Sequence, residues 1–571
     1  MRLDSASPQL LEGVLELTVL DDLNTSFVYR TQELALITGA RELRLLLPPA
    51  RMERGMERDV RMRFIFTTGG VIELGKTALH PSLLMERSLV LAVGRVDLRA
   101  PEPGARLWQS LRLDRFEPAK GSSSMEKFST TPVMIEPDDF PAEPLGYCAF
   151  DAVMIESRAF AALKEKPREA LGQWLAGGGS VCVVANDPLD AAHAGTLRAW
   201  LRRDPSITLP EFDAEGRVQT TGDSAILARV GFGRLVVLTR APDEIVDDPK
   251  WRRAITFLWK IRAVQASAIE RDGAWQNEAF GKVGEWKNAD RARRAQIASE
   301  LTEALLPKTV RIIPLPVILA ILIGFIAAVG PVDFFVLGKL RARRFTWLAF
   351  PLVSVGFTVL TMKLAAHYLG TNTHQAALVL TDLGPDGAVI RETRWELVLP
   401  AATQELVRDT QHAFAIPAAQ NRDYGASADR VAIAGFEGQY PARYRLRLPL
   451  AQWAPQTIRV SALATGTDDS RVDWSAFPGA IGGGSGCAIW ISDKGHHGYV
   501  GNAGPLSPDF LARITFTPEW NALFSAPSPG GAGSLDDLCV VEQNEPNRAV
   551  VVAVRREGAD IHAWRRLYFR P

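Results

Sequence analysis

The chain has no excess of either charge. Its 65 Lys and Arg residues balance 65 Asp and Glu, for a formal net charge of 0. Nucleic-acid binding normally rests on a basic surface, so the balance argues against that role. Cysteine is scarce too. Cys148, Cys182, Cys487 and Cys539 are the only four, too few for a disulfide scaffold, and no CxxC spacing suggests structural zinc. The opening MRLDSASPQLLEG has neither the basic n-region nor the apolar h-region of a signal peptide. No set of residues reads as a catalytic, cofactor-binding or metal site.

What the chain does have is an apolar hairpin over residues 312–369. The first run, PLPVILAILIGFIAAVGPVDFFVLG, carries one charge, Asp333, near its exit. The second, residues 345–369, carries Lys363 close to its end, where a long side chain snorkels to the headgroups. Each run reaches the roughly 20 apolar residues that a spanning helix needs. Pro314 and Pro316 fall in the first turns, where a missing N–H costs little, and Pro331 is expected to kink or end the helix before Asp333. Gly324, Ala327, Ala328 and Gly330 offer small residues for packing against another helix. Trp347, Tyr368, Phe334 and Phe335 sit where interfacial aromatics belong.

Between the runs lies a basic loop with Lys339, Arg341, Arg343 and Arg344. The positive-inside rule places that loop in the cytoplasm and both large flanks outside the cytoplasmic membrane. The expected location is therefore a bacterial inner membrane, with the lipid bilayer and other membrane or envelope proteins as partners. Export of the first flank then calls for a signal peptide or first helix upstream of Met1, which is the preferred reading, or for an unrecognised export route, or else the topology is inverted. An extracytoplasmic location permits disulfides, with Cys148–Cys182 and Cys487–Cys539 as the within-domain pairings, though isolated buried cysteines explain the same residues.

The flanks differ in rhythm. Residues 1–82 hold strand-like runs at 14–20, 33–38, 42–48 and 60–70, which predicts a small β-sandwich. Residues 86–263 alternate strands with helices, and the near-continuous apolar strands predict a mostly parallel sheet covered on both faces. Strands are expected at 88–96, 131–137, 150–157 and 180–187, helices at 103–111, 166–179 and 251–263, and a β-hairpin at 225–240. Residues 264–311 read as a helical linker, and residues 371–571 as one or two β-rich domains.

The stretches YCAFDAVMIES, REALGQWLAGGGSVCVVAND and VGFGRLVVLT, continued in the hairpin itself, resemble a group of large bacterial inner-membrane proteins. That family joins an outer β-sandwich, a degenerate class I glutamine-amidotransferase-like, flavodoxin-like domain, a paired membrane helix and a β-rich tail. The resemblance implies the architecture and is nearly silent on mechanism. An active member of that fold needs a cysteine on a tight strand-to-helix turn, served by a histidine and an acid. Cys148 precedes a strand and Cys182 lies inside one, so His193, Asp187 and Asp190 have no nucleophile to activate. Gly177, Gly178 and Gly179 close a helix and open a strand, the reverse of a phosphate loop, and read as a C-cap with a tight turn.

In the tail, Asp382, Asp386 and Gly387 read as a turn rather than a calcium loop, which would need further ligands. His496 and His497, near Asp493 and Cys487, form the densest group of metal-ligand types, in what reads as a loop. Trp453, Trp474, Trp490 and Trp520 read as core or edge aromatics. The leading expectation is a non-catalytic, membrane-anchored scaffold or assembly protein. Its rivals are an accessory subunit of a transport complex and an enzyme with a site between domains.

Overall fold

The computed structural model describes residues 2–5, 10–20, 26–48 except 44, 58–79, 87–94, 128–219, 225–239, 249–259, 302, 305–307, most of 314–369, 372–417, 434–467, 488–493, 496–501 and 548–569. The protein is multidomain, with several β-sheets, helical segments and two long apolar helices.

The first sheet has six strands, in the order Ala225–Val230, Gly233–Leu238, Ser180–Val184, Ala152–Glu156, Arg87–Gly94 and Phe128–Ile135. All pairings are parallel except that of the Ala225–Val230 edge, which is antiparallel. Every residue of Ser180–Val184 is buried, as a central parallel strand covered on both faces requires. Helices α1 (Ser157–Ala161), α2 (Glu165–Ala176), α3 (Ala191–Leu201) and α4 (Pro249–Leu258) flank it. On α2, Ala170, Leu171, Trp174 and Leu175 form one buried face. Helix α3 adds to the expected elements, and its N-cap Asp190 accepts a hydrogen bond from His193 N–H at 2.9 Å. The helix expected at 103–111 lies outside the described residues.

A second sheet joins the two flanks of the apolar hairpin. Leu11–Leu20, Ser26–Arg30, Leu34–Leu36, Arg58–Phe66 and Val71–Leu79 come from before it. Gln404–Gln411, Ala434–Gln439 and Arg443–Leu450 come from after it. The joint is a parallel ladder in which Phe27, Val28, Tyr29 and Arg30 face Ala434, Gly435, Phe436 and Glu437. Where the sequence separates residues 1–82 from 371–571, this shared sheet links them by backbone hydrogen bonds. Charges of alternating sign cross it in strand order. Arg63 and Arg30 hold the buried Glu16, Arg30 lies 3.5 Å from Glu437, and Arg447 lies 3.0 Å from both Glu437 and Glu405. Opposite charges on adjacent strands favour this register over a slipped one.

The third sheet, here the tail sheet, has eight strands. They run in the order Ala413–Pro417, Gln456–Thr467, Ala388–Leu399, His374–Leu383, Asp560–Phe569, Arg548–Glu557, Ala488–Asp493 and His496–Gly501. One core joins it to the shared sheet. Leu15, Leu17 and Tyr29 from before the hairpin pack with Phe436 and Leu446 from after it, and with Val398 and Ile458 of the tail sheet.

Helices α5 (Leu315–Ala327) and α6 (Thr346–Leu369) form the hairpin. The candidate spans Leu315–Val332 and Phe350–Tyr368 are 18 and 19 residues long. After α5, residues Ala328–Val332 continue as a π-turn containing Pro331, which has no N–H to carry the α-helical ladder onward. Neither span is a buried core helix, since 0% of the first and 6% of the second is enclosed by protein. Leu322, Ile323, Leu352 and Val355 are exposed. Just before the hairpin, the Thr302 and Thr457 hydroxyls meet at 2.8 Å, and Leu305 packs with Leu378, Leu397 and Ile561. Apart from Leu306 and Pro307, the rest of the expected linker at 264–311 lies outside the described residues, and these anchors dock on the tail sheet rather than the preceding domain.

Two local expectations change. Among the described residues of the run at 42–48, none beyond Glu42 lies in a strand, and Leu43, Leu45, Leu46 and Leu47 instead pack on the shared core. His496 and His497 open a strand paired with Ala488–Asp493 instead of lying in a loop.

Glu16 gives the shared sheet an acid limit. Burial raises its carboxyl pKa, but hydrogen bonds and charge from Arg30 and Arg63 outweigh that and hold it below the ordinary 4.5. A depressed folded value stabilises above the unfolded one and is lost as pH falls through the folded one. Glu16→Gln is expected to lower the urea midpoint at pH 7 and to make little difference at pH 2.

Candidate functional site

The carboxyl ends of the parallel strands are where a sheet of this kind normally takes a ligand, at the point where strand order reverses. Here that point lies between Arg87–Gly94 and Ala152–Glu156. Beside it the packing is close: a Cβ on Gly94 would stand 3.0 Å from Ile155 Cγ1 and 3.2 Å from Phe140 Cζ, and Phe140 is buried. Ser157, which the sequence reading did not single out, occupies the strand-to-helix corner. Its Oγ donates to Val184 O at 2.6 Å and accepts from Asp187 N–H at 3.1 Å, clamping two strand ends together.

The two described cysteines form no disulfide. Cys182 is fully buried within its strand, and burial pushes its thiol up to about 12, away from the reactive thiolate. Cys148 lies half-buried in a 3-10 turn at Pro144–Ala149. Cys487 and Cys539 are outside the described residues. His193 is buried against the edge of the Phe160 ring. Its Nδ1 is 2.8 Å from Asp190 Oδ1, and its Nε2 is 3.0 Å from Arg168 Nη1 and 3.2 Å from Leu163 O. Asp187 instead pairs with Arg158 at 3.3 Å.

The opposite, amino-terminal edge of the same strands is the junction with the tail sheet, and three glycine positions shape it. Helix α2 ends at Ala176, Gly177 is its C-cap, and Gly178 has φ +126°. A Cβ on Gly177 would stand 2.2 Å from Leu463 Cδ2 of the tail sheet. A Cβ on Gly233 would stand 1.7 Å from Leu175 O and 2.6 Å from Gly179 O. The C-cap and tight turn expected at 177–179 are present, and they also let a second domain approach.

What approaches is a buried ionic cluster. Asp382 lies directly across from Arg391 on one neighbouring strand and from Arg565 on the other. Arg565 Nη2 donates to Asp382 Oδ2 at 2.7 Å, Arg391 Nε donates to the same oxygen, and all three side chains are buried. Ile390 is a β-bulge: Leu383 faces Val389 while Asp382 faces Arg391, which leaves Ile390 without a partner. A bulge re-aims side chains. Ile390 and Arg391 both turn to the parallel-sheet domain, Ile390 onto its core and Arg391 onto Gly177 O at 3.0 Å and the Phe232 ring at 4.6 Å. The guanidinium thus satisfies an open carbonyl at the C-terminus of α2, where a cation is also favoured by the helix dipole. The hairpin tip beyond is turn chemistry as expected, with Asp386 Oδ1 accepting from Ala388 N–H at 3.1 Å and Gly387 at φ +79°. Asp382 belongs to the ionic cluster and not to that turn.

In the apolar hairpin, a Cβ on Gly324 would stand 3.7 Å from the Phe357 ring, and Phe325 meets Phe357 edge-on at 5.4 Å. Ala327 and Ala328 are half-buried, and Gly330 is exposed with nothing within 4 Å of its Cβ position. Lys339 is exposed, while Arg341, Arg343, Arg344 and Asp333 lie outside the described residues. Trp453 is half-buried in a turn whose N–H reaches Pro400 O at 2.8 Å, Trp490 lies in a strand, and Trp474 and Trp520 are outside the described residues. Among the described residues no group of three or more His, Cys, Asp or Glu is arranged to hold a metal ion.

Removing Asp382 would leave two buried guanidiniums uncompensated. Asp382→Ala is expected to cost about 3–5 kcal/mol, read by urea denaturation. Burial raises the Asp382 pKa, but the charges of Arg391 and Arg565 outweigh it and hold the carboxyl below the ordinary 3.8. Its stabilisation is therefore present above the unfolded pKa and lost as pH falls through the folded one. Gly233→Ala is expected to unfold the protein or to lower its thermal midpoint steeply, because the added methyl meets backbone that cannot yield. Comparison of the chain with family models, with curated proteins and with solved structures gives no match.

Proposed function

We propose that this protein is a non-catalytic, membrane-anchored scaffold or assembly protein. Its folded body binds protein partners outside the cytoplasmic membrane. The observation that carries the reading is the parallel ladder between Ser26–Arg30 and Ala434–Gln439. Strands on either side of the apolar hairpin share one sheet, so the hairpin is an excursion from a single folded body. An even number of crossings returns the chain to the side it left, as that sheet requires. The exposed apolar faces of α5 and α6 call for lipid or partner helices to cover them. On this reading the hairpin fixes the body to the membrane, and the sheets hold the body together.

The finer architecture is part of the proposal. The parallel sheet is read as a degenerate glutamine-amidotransferase-like, flavodoxin-like domain, and the shared and tail sheets as a β-sandwich. The basic loop at Lys339–Arg344 is read as cytoplasmic, with both flanks outside. The buried Cys182 thiol supports a binding role over amidotransferase chemistry.

Topology labelling tests the orientation and the shared sheet together. Single cysteines at Lys339 and at the exposed Glu215 and Asp409 are introduced after all native cysteines are replaced by serine. A membrane-impermeant maleimide on intact spheroplasts is expected to label positions 215 and 409 and to spare 339. Labelling at 339 alone overturns the orientation, and labelling of only one of the two flank positions overturns the single body. Copurification from detergent with identified envelope proteins, lost when the Asp382 junction is broken, is the expected sign of scaffolding.

A further inference from the structure

A cleft of about 950 Å3 opens between α2, the end of α3 and the tail-sheet turn at 384–388. Its volume falls in the roughly 300–1,000 Å3 range of small-molecule sites, and a boundary between domains is a favoured place for one. Three arginines line it: Arg168 from α2, and Arg202 and Arg203 directly after α3.

Arg168 contacts His193 and forms no ion pair among the described residues. His193 Nδ1 faces Asp190 Oδ1 at 2.8 Å and donates its hydrogen there. His193 Nε2 lies 3.0 Å from Arg168 Nη1 and 3.2 Å from Leu163 O. His193 is itself buried and fixed by α3. With no carboxylate paired to it among the described residues, the Arg168 guanidinium keeps its charge for the cleft. Arg202 and Arg203 are exposed and have no ion-pair partner among the described residues. Two carboxylates share the lining. Glu169 is exposed, and Asp386 has one oxygen engaged by Ala388 N–H. The three cations outnumber them.

We propose that this cleft binds a phosphate-bearing ligand through Arg168, Arg202 and Arg203. Forked guanidinium donors match phosphate oxygens, and hydrogen bonds between charged groups are the strong ones. A soluble phosphate compound and a phospholipid headgroup share this chemistry.

The test uses the full chain in nanodiscs of phosphatidylcholine, with inorganic pyrophosphate as the probe in isothermal titration calorimetry. Saturable binding is expected. Arg168→Gln and the double variant Arg202→Gln/Arg203→Gln are each expected to weaken it about tenfold or more, the scale of a lost charged hydrogen bond. Arg217→Gln, at an exposed arginine outside the cleft, is expected to leave it unchanged. An isotherm that does not saturate overturns the proposal, as does one weakened equally by the Arg217 control. A second arm adds phosphatidylglycerol to the nanodiscs. Competition with pyrophosphate assigns the cleft to a headgroup, and its absence assigns it to a soluble phosphate compound.

Discussion

One buried carboxylate between two guanidiniums organises the junction on which the rest of this structure depends. Asp382 ties three adjacent strands of the tail sheet, and Arg391 carries the same charge network across to Gly177 O and the Phe232 ring. A buried ion pair is a poor source of net stability, because desolvation offsets most of the Coulomb attraction. What it supplies is selectivity of arrangement: a shifted register would strand a charge without its partner. The bulge at Ile390 works with it, turning an apolar and a cationic side chain to the same neighbouring domain.

The junction and the shared sheet together make one body of what the chain order keeps apart. The tail sheet grips the parallel-sheet domain through Arg391, Ile390 and Leu463. It shares a core with strands from the first 79 residues, and it holds Thr302 and Leu305 just before the hairpin. The junction also uses the amino-terminal edge of the parallel strands and turns the sides of α2 and α3 into one wall of a cleft.

Much of the local structure was legible. The hairpin at 225–240, the strand at 180–187 and the helix ending in glycines all follow from periodicity and turn chemistry, which depend on near neighbours in sequence. The apolar hairpin was plain for the same reason. Less was visible where burial and ladder formation part company. Leu43, Leu45, Leu46 and Leu47 look like part of a strand because they are apolar, yet they satisfy that demand against a core built elsewhere. Of the candidate site residues, His193 and Asp190 were noticed as a possible base and its partner. Their connection to Arg168 was not, since it joins side chains 25 positions apart. Arg391 and Arg565 gave no local signal, for an arginine on a strand reads as solvent-facing until its carboxylate is found.

Composition and periodicity alone settled that this chain has two membrane-length apolar runs set between segments able to fold, with no net charge. They also marked many, though not all, of the strands and helices along it. Only the tertiary structure decided that Ser26–Arg30 pairs with Ala434–Gln439, that Asp382 sits between Arg391 and Arg565, and that the glycines at 177–179 admit a second domain. The physical reason is range. Helical and strand periodicity are written within a few residues, while a partner strand or counter-charge hundreds of residues away leaves no mark on the local pattern.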